Sequence, residues 1–398
     1  MKKAICALIG IALAMLCISS LAQEDDIEYW LNIGNVSLEK LNSTQNQTEK
    51  EQIIREALKE YDKAAEIDPQ SAEAWYLKGK ALTRLGMLDE SIEALNKATE
   101  INYRYADAWL EKAKLYLELG RFNESVEALN RLSEDNPQSS QAWLDKGKLL
   151  IELGRFDDAL NSFNSSIEIN QDSADAWYWK GVILREIGRY NESVSALDRV
   201  TEIDPEFAEA LRDRGVILQA LNRHSEANVA FAKALEIYNR TIETDPQSAD
   251  DWRNKGHILQ MLGHEEDAKT AFFEVVNIYD GYIKLNPENT SAWLLKGDAL
   301  RDLNMQEEAT MCYDEAIELN PDDAYAWNGK GLNLYSLGKY DESIKAFDKT
   351  IAIRPAYASS WYYKGLAMEN IGRNAEAKDA LARAAELGFP IEPHESSA

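Results

Sequence analysis

The chain has 398 residues, of which 45% are hydrophobic, and its 43 Lys and Arg against 69 Asp and Glu give a formal net charge of −26. This apolar content is typical of a folded chain, and length alone predicts two or three domains. The acidic balance argues against DNA, RNA or an anionic membrane surface as the main partner, because phosphate binding requires a dense basic surface.

Residues 1–22 have the pattern of an export signal. Lys2 and Lys3 form a short basic segment, residues 4–18 are an uncharged apolar run, and residues 20–22 place small side chains at a cleavage site. We therefore predict an exported protein of the cell envelope or extracellular space. The apolar run is also long enough to cross a bilayer, so an uncleaved signal that anchors the chain to a membrane is the alternative.

Removal of this signal leaves Cys312 as the single cysteine of the chain. An exported chain with one cysteine has no internal disulfide and must be held together by its core. We expect Cys312 to be a small buried apolar side chain. A reactive thiol and an intermolecular bridge are the alternatives.

Tryptophan recurs along the chain with a period of 34 residues, interrupted once by a leucine and twice by a step of 41 residues. A fixed period of this size indicates stacked copies of one small unit, and it overrides the domain count that length suggests. The positions of the series are Trp75, Trp109, Trp143, Trp177, Leu211, Trp252, Trp293, Trp327 and Trp361.

Other positions keep a fixed spacing from this tryptophan series. Four residues later stands glycine or alanine, seven later a large apolar residue, and eleven later glycine or asparagine. The tryptophan and the positions four and seven residues later share one face of a helix. At the eleventh position, Gly or Asn accepts the left-handed conformation that ends a helix. We therefore predict a first helix with a buried stripe, a tight turn, and a second helix that ends before a proline. The predicted N-caps of the second helices are Asp89, Asn123, Asp157, Asn191, Ser225 and Asp341.

These features resemble the tandem tetratricopeptide repeat family. Residues 326–331, 338–344 and 353–355 show the family pattern well, and several positions agree across nine units. The resemblance implies an all-α fold, a right-handed superhelical α-solenoid of helix-turn-helix repeats. It also implies that the first helices line a concave groove that binds peptides or partner helices.

The resemblance predicts the domain organisation. Nine tandem units occupy residues 68–389, and the two units at about 208–289 are extended to 41 residues, which predicts longer second helices there. Residues 23–67 are predicted to form a divergent N-terminal helical pair, whose second helix lies near Glu49 to Ile67. Residues 390–398 are predicted to form a C-terminal tail.

In this fold, the positions one and five residues after the tryptophan face the groove. Lys80, Lys114 and Lys148 are predicted to form a ladder that attracts an acidic or carboxylate-bearing ligand, with ordinary solvated lysines as the alternative. A second row of Lys and Arg, three residues after the tryptophan, is interpreted as packing between helices. The candidate groove residues are Tyr76, Lys80, Lys114, Lys148, Tyr178, Arg212, Arg253, His257, Asn328 and Tyr362.

No motif in the sequence indicates catalysis. The four histidines lack the spacing of metal ligands, and no glycine-rich phosphate loop or nucleophile elbow occurs. We therefore predict a non-enzymatic scaffold, without cofactor or metal, that binds a peptide segment or partner helix in the groove.

Two other functions stay open. The first is a self-assembling cell-surface component that associates through its C-terminal repeat, in which Ala380 and Ala384 are expected to be exposed. The second, less favoured, is a glycan-binding module. Among the Asn-x-Ser/Thr sequences, Asn42 and Asn46 lie in a polar loop and are the predicted glycosylation sites.

Overall fold

The computed structural model describes residues 26–44, 47–355, 357–387 and 389, so the predicted signal and C-terminal tail lie outside the described residues. In this described part the chain is all-α, with 20 α-helices, one short 3₁₀ helix (Lys40–Ser43) and no strands. None of these helices combines the length and the apolar character that a membrane crossing needs.

The helices pair consecutively into helical hairpins, each with an odd-numbered first helix and an even-numbered second helix. The chain divides after Pro137 into a first unit (Met1–Pro137) with α1–α6 and a second unit (Gln138–Ala398) with α7–α20. The bounds are α1 Ile27–Glu39, α2 Gln47–Ile67, α3 Ala72–Arg84, α4 Leu88–Ile101, α5 Ala106–Glu118, α6 Phe122–Asp135, α7 Ser140–Glu152, α8 Phe156–Ile169, α9 Ala174–Glu186, α10 Tyr190–Ile203, α11 Ala208–Ala220, α12 His224–Thr244, α13 Ala249–Met261, α14 Glu265–Leu285, α15 Thr290–Asp302, α16 Gln306–Leu319, α17 Ala324–Ser336, α18 Tyr340–Ile353, α19 Ala358–Asn370 and α20 Asn374–Glu386.

Close contact between a small and a large residue holds each hairpin together. Gly256 of α13 faces the ring of Phe272 on α14 so closely that a Cβ atom at 256 would lie 2.6 Å from the ring. Gly79 faces Leu95 in the same way. Because the glycine has no side chain, the two helices approach until the large residue fills the space between them. This packing confirms the predicted buried stripe of the first helix.

The turn inside each hairpin confirms the predicted helix stop. Glycines at this position, such as Gly263, have positive φ angles, and Asn222 and Asn304 replace glycine with φ of 59° and 57°. Positive φ is the conformation that closes a helix C-terminus, and asparagine tolerates it better than most residues.

The predicted N-caps of the second helices are wrong. The turn is shorter than expected, so that Asp89, Asn123, Asp157, Asn191, Ser225 and Asp341 are the second residues of their helices. The capping position is occupied instead by residues such as Arg155 and Arg223, whose side chains make no capping hydrogen bond. Arg155 instead pairs with Asp158 at 2.5 Å. Carboxylates in this first turn are favourable beside the positive end of the helix dipole.

The tryptophans fasten the linkers between hairpins. The indole Nε1 of Trp252 donates a hydrogen bond of 3.1 Å to the carbonyl oxygen of Pro246, and Trp327 bonds to Pro321 in the same way at 2.9 Å. The tryptophan rings also contact the row of lysines that stands three residues later. Lys296 Nζ lies 5.5 Å from the ring centroid of Trp293 and 2.6 Å from the Asp280 carboxylate. These contacts confirm the interpretation that the lysines of this row pack between helices.

Two further predictions are confirmed, the burial of Cys312 and the greater length of two second helices. Cys312 is buried, and burial raises the pKa of its thiol to about 11. The second helices α12 and α14 each contain 21 residues, whereas the next second helix, α16, contains 14.

The predicted exposed face of the C-terminal hairpin is wrong. Ala380 and Ala384 are only 3% and 0% exposed, and with Ala377 they form the face of α20 that packs on α19. Lys378, Asp379 and other polar residues lie on the exposed face. The alanine argument for end-to-end self-association therefore fails.

The glycine contact gives a test of hairpin packing. Gly256→Ala should lower the free energy of unfolding by about 1–3 kcal/mol, because the new methyl group clashes with the buried Phe272 ring. Gly281→Ala on α14 is the matched control: a Cβ atom there meets no atom within 4 Å, and alanine adds up to about 1 kcal/mol of helix propensity. Urea unfolding followed by circular dichroism measures both. Equal effects of the two substitutions would contradict this packing.

Candidate functional site

A pocket of about 240 Å³ opens on the second unit between α11 and α13. Val216 and His257, at its wall, are each five residues after the repeat position Leu211 or Trp252, so the pocket lies on the face predicted to form the groove. Apolar side chains line most of it. The lining residues are Arg212, Val216, Phe231, His257, Ile258, Gln260 and Met261.

Arg212 joins the two helices beside the pocket. Its guanidinium donates to the Asp213 carboxylate at 2.9 Å from Nε and 2.7 Å from Nη2, and its Nη1 donates to Oδ1 of Asn254 on α13. Tyr178 of α9 donates its hydroxyl to Asp213 at 3.1 Å. Burial disfavours the charge of Arg212, but the Asp213 carboxylate outweighs this and raises the pKa of Arg212. The group therefore stays fully cationic.

A second ion pair connects α13 to α15. Arg253 Nε donates to Asp302 at 2.9 Å, and His257 Nε2 lies 3.5 Å from the same carboxylate oxygen. Burial is the largest cause and lowers the pKa of His257. The Asp302 carboxylate raises this pKa, the positive charges of Arg253, Arg212 and Arg301 lower it, and the net shift is downward. His257 is therefore neutral at pH 7, although it lies beside a carboxylate.

Arg253 has unused hydrogen-bonding capacity. It donates through Nε, and within the described part of the chain neither of its Nη groups donates to an acceptor. Its side chain is 29% exposed. Arg253 does not line the pocket, but it precedes the lining residue His257 by one helical turn. A partly buried guanidinium with open donors can bind a carboxylate in the two-pronged geometry that Arg favours. The described residues contain no group of three or more His, Cys, Asp or Glu able to hold a metal ion.

Comparison with family models identifies the repeats. Models described as tetratricopeptide repeat match residues 72–105, 110–173, 144–206 and 184–249, and a model described as TPR repeat matches 54–86, 297–335 and 331–372. Together these matches cover more than half of the chain, and none of them is a catalytic family. The chain belongs to the tetratricopeptide repeat (TPR) family.

A search of solved structures finds partial similarity to other proteins. YrrB, described as a TPR protein with an unusual peptide-binding site, is 22% identical, with a TM-score of 0.37 over 44% of this chain and 91% of its own. Two structures of MamA are 23% and 21% identical, with TM-scores of 0.38 and 0.39; they cover 42% and 44% of this chain and 96% and 97% of their own. A comparison with curated proteins gave no match.

Three candidate tyrosines of this TPR protein contact aromatic rings that follow later in the chain. Ring centroids lie 5.0 Å apart for Tyr76 and Tyr105, 4.9 Å for Tyr178 and Phe207, and 4.4 Å for Tyr362 and Phe389. Tyr105 and Phe207 stand immediately before the first helix of the next hairpin. These tyrosines therefore join consecutive segments and are only partly available to a ligand.

Asn328 does not line an open groove. It is buried and accepts a hydrogen bond of 2.8 Å from the Ser360 hydroxyl, which links α17 to α19. An amide satisfied in this way between two helices serves packing. Of the predicted glycosylation sites, Asn46 and the side chain of Asn42 lie outside the described residues.

The three lysines of the predicted ladder belong to both units. Lys80 and Lys114 lie in the first unit, and Lys148 lies in the second. Lys80 Nζ is 5.3 Å from the Tyr76 ring centroid, and Lys148 Nζ is 5.7 Å from that of Trp179. Within the described residues none of the three forms an ion pair, and the ladder stays a prediction.

Sequence reasoning missed Asp213, Asp302 and Met261. Asp302 and Met261 both stand nine residues after the repeat tryptophan, and positions one, five and nine follow one helical stripe. Extending the groove stripe to this third position would have found both residues. Asp213 gave a weaker signal, a carboxylate two residues after the one repeat position without tryptophan.

The ion pairs give a test of the site's electrostatics. The pKa of His257 should lie below the ordinary histidine value of about 6.5. Asp302→Asn should lower it further, because it removes the carboxylate that favours the imidazolium, and Arg253→Gln should raise it. NMR titration of the ring protons measures the shift, with the signal assigned by its loss in His257→Gln. A higher pKa in Asp302→Asn would contradict this description.

Proposed function

We propose that this TPR protein is a scaffold that binds a peptide segment or partner helix along the first helices of the second unit. The observation that carries the proposal is the pocket between α11 and α13, which would hold one anchor side chain of the ligand. Membership in a repeat family of interaction scaffolds supports the general role.

The size of the pocket favours a peptide side chain over a free small molecule. Its volume of about 240 Å³ is below the roughly 300–1,000 Å³ typical of small-molecule sites. Burial of one Leu or Phe side chain against such apolar walls is worth about 1.5–3 kcal/mol. The remaining affinity then comes from contacts along the helices, where Gln260 is exposed and can bond to a peptide backbone.

The anchor role is tested with matched methionines. Met261 lines the pocket and is 43% exposed, whereas Met311 on α16 is 68% exposed and lies outside it. A library of random dodecapeptides displayed on phage should enrich sequences with a bulky apolar residue on the wild type and on Met311→Glu. Met261→Glu should weaken binding of the enriched peptides at least about tenfold, since the bound apolar side chain would remove the new carboxylate from water.

Two results would contradict the anchor role. One is a library that enriches no sequence on the wild-type protein, and the other is equal binding of the enriched peptides to Met261→Glu. Circular dichroism of both variants verifies that each glutamate leaves the helices intact.

We also propose that the chain is exported, either released or held by an uncleaved signal. The support is the sequence of residues 1–22, with its basic start, apolar run and small residues. Expression of the full gene in a secreting host, followed by N-terminal sequencing of the exported protein, should show a chain that starts at Gln23. Recovery of the intact N-terminus in the membrane fraction would favour the anchor, and recovery in the cytosol would overturn export.

A further inference from the structure

We propose that the pocket between α11 and α13 binds an acidic peptide, in which a carboxylate beside the apolar anchor contacts Arg253 and Arg212. This inference rests on the proposed function and names the chemical class of its ligand.

The first argument is the supply of hydrogen-bond donors. The Nη groups of Arg253 donate to no acceptor within the described residues, although its Nε is bonded to Asp302. A guanidinium presents its donors in a planar fork that matches a carboxylate, and charge-assisted bonds of this kind are stronger than neutral ones. A peptide carboxylate would satisfy donors that the protein itself leaves open.

The second argument is the sharing of carboxylates. Asp302 lies within ion-pair distance of both Arg253, at 2.9 Å, and His257, at 3.5 Å. Asp213 is similarly shared by Arg212, at 2.7 Å, and Arg185, at 3.7 Å. His257 is neutral at pH 7 and Arg185 also pairs with Glu186 at 2.7 Å, so at this pH the acidic ligand depends on the open donors of Arg253. When His257 is protonated, Asp302 is shared by two cations, and an additional carboxylate becomes favourable there.

The third argument is that recognition of an acidic peptide must come from short-range contacts. The chain carries 69 acidic against 43 basic residues, so its long-range field repels an acidic peptide. A preference for such a peptide must therefore come from contacts of a few ångströms. Arg212 and Arg253 are 25% and 29% exposed, and half-buried charges are screened by salt less than fully exposed ones.

His257 makes this binding depend on pH. The charged groups that face it are Asp302 and Arg301 of α15, Arg253 of its own helix and Arg212 of α11, while the Phe272 ring of α14 packs against it at 5.1 Å. The imidazole is neutral at pH 7, because burial and these arginines lower its pKa. A bound carboxylate favours the imidazolium, so protonation of His257 should strengthen binding as the pH falls.

The ligand class is tested with four synthetic dodecapeptides and the full chain. Three share a central leucine flanked by Glu, Gln or Lys, and the fourth has Glu flanks with alanine in place of leucine. By fluorescence anisotropy at pH 7.5, the Glu peptide should bind at least about tenfold more tightly than the Gln peptide, which is the size of one charge-assisted contact. The Lys peptide should bind more weakly still, and loss of the leucine should weaken the Glu peptide.

Variants of the protein assign the contact. Arg253→Gln should reduce the preference for Glu over Gln to about twofold or less, because the open donors are lost. Arg199→Gln is the matched control, since Arg199 is an exposed arginine that pairs with Glu202 on α10. If Arg253→Gln does not fold, the comparison of Glu and Gln peptides on the unchanged protein still decides the ligand class.

Changing the pH gives a second readout. Between pH 7.5 and 5.5 the affinity for the Glu peptide should rise, and His257→Gln should remove the rise. The peptide glutamates stay ionised over this range because their ordinary pKa is about 4.3. An affinity that is constant or falls with decreasing pH overturns the role of His257.

The outcomes separate the two proposals. Equal affinity for the Glu, Gln and Lys peptides overturns the acidic ligand but leaves the apolar anchor in place. Absence of binding by every leucine peptide overturns the anchor as well.

Discussion

The close approach of the two helices within each hairpin is the constraint on which the rest of the structure depends. It requires a residue without a bulky side chain on the first helix and a large one opposite it, as in Gly147 with Phe163 and Gly331 with Phe347. Since the interior is close-packed, a methyl group added at either glycine has no room. The contact fixes the rotation of the first helix about its axis, and therefore fixes which of its positions face away from the second helix.

That rotation divides the positions of each first helix into those that pack against neighbouring helices and those that face away from the second helix. The tryptophan and the lysine three residues later serve the stack, because the indole bonds the linker carbonyl and the lysine pairs with the preceding second helix. Positions one, five and nine differ between repeats, although some of their residues, such as Tyr178 and Asn328, also join neighbouring segments. At Leu211 the indole is missing altogether, and the Arg212–Asp213 network and the pocket occur in this hairpin. The pocket and its charged network thus occur where the repeat departs from its tryptophan pattern.

The sequence predicts what depends on spacing within one hairpin. The helix pairs, the left-handed glycines and the lysine row follow from a strict period, because each is set by residues fewer than about two turns apart or in a fixed register. Contacts between hairpins that do not repeat along the chain were not predictable in this way. Arg253 donates a hydrogen bond to Asp302, which lies 49 residues later, and Ser360 donates one to Asn328, which lies 32 residues earlier. Such pairs depend on how neighbouring helices lie, which no period encodes.

Smaller errors have an equally physical origin. The capping prediction failed because the shorter turn places the predicted cap two positions after the actual N-cap, as with Asp89 after Met87, where the helix dipole also favours a carboxylate. Ala380 and Ala384 were assigned to the exposed face, yet with Ala377 they follow the spacing of a buried stripe. In both cases the residue types were compatible with two positions, and the geometry of the turn or the neighbouring helix decided between them.

The charged network beside the pocket is difficult to explain as a source of stability. Ion pairs removed from water lose much of their attraction to desolvation, and well-packed apolar residues of similar size often stabilise a fold equally or better. The hairpin of α7 and α8 is an example of apolar packing in the second unit, since Leu150 and Phe163 lie fully buried in it. Arg212 and Arg253 join neighbouring helices, but the stability of the stack does not by itself account for charged groups at these positions. Arg212 and His257 line the apolar pocket, and Arg253, one helical turn before His257, has Nη groups that donate to no acceptor within the described residues. This arrangement is what recognition of a charged and partly apolar ligand requires.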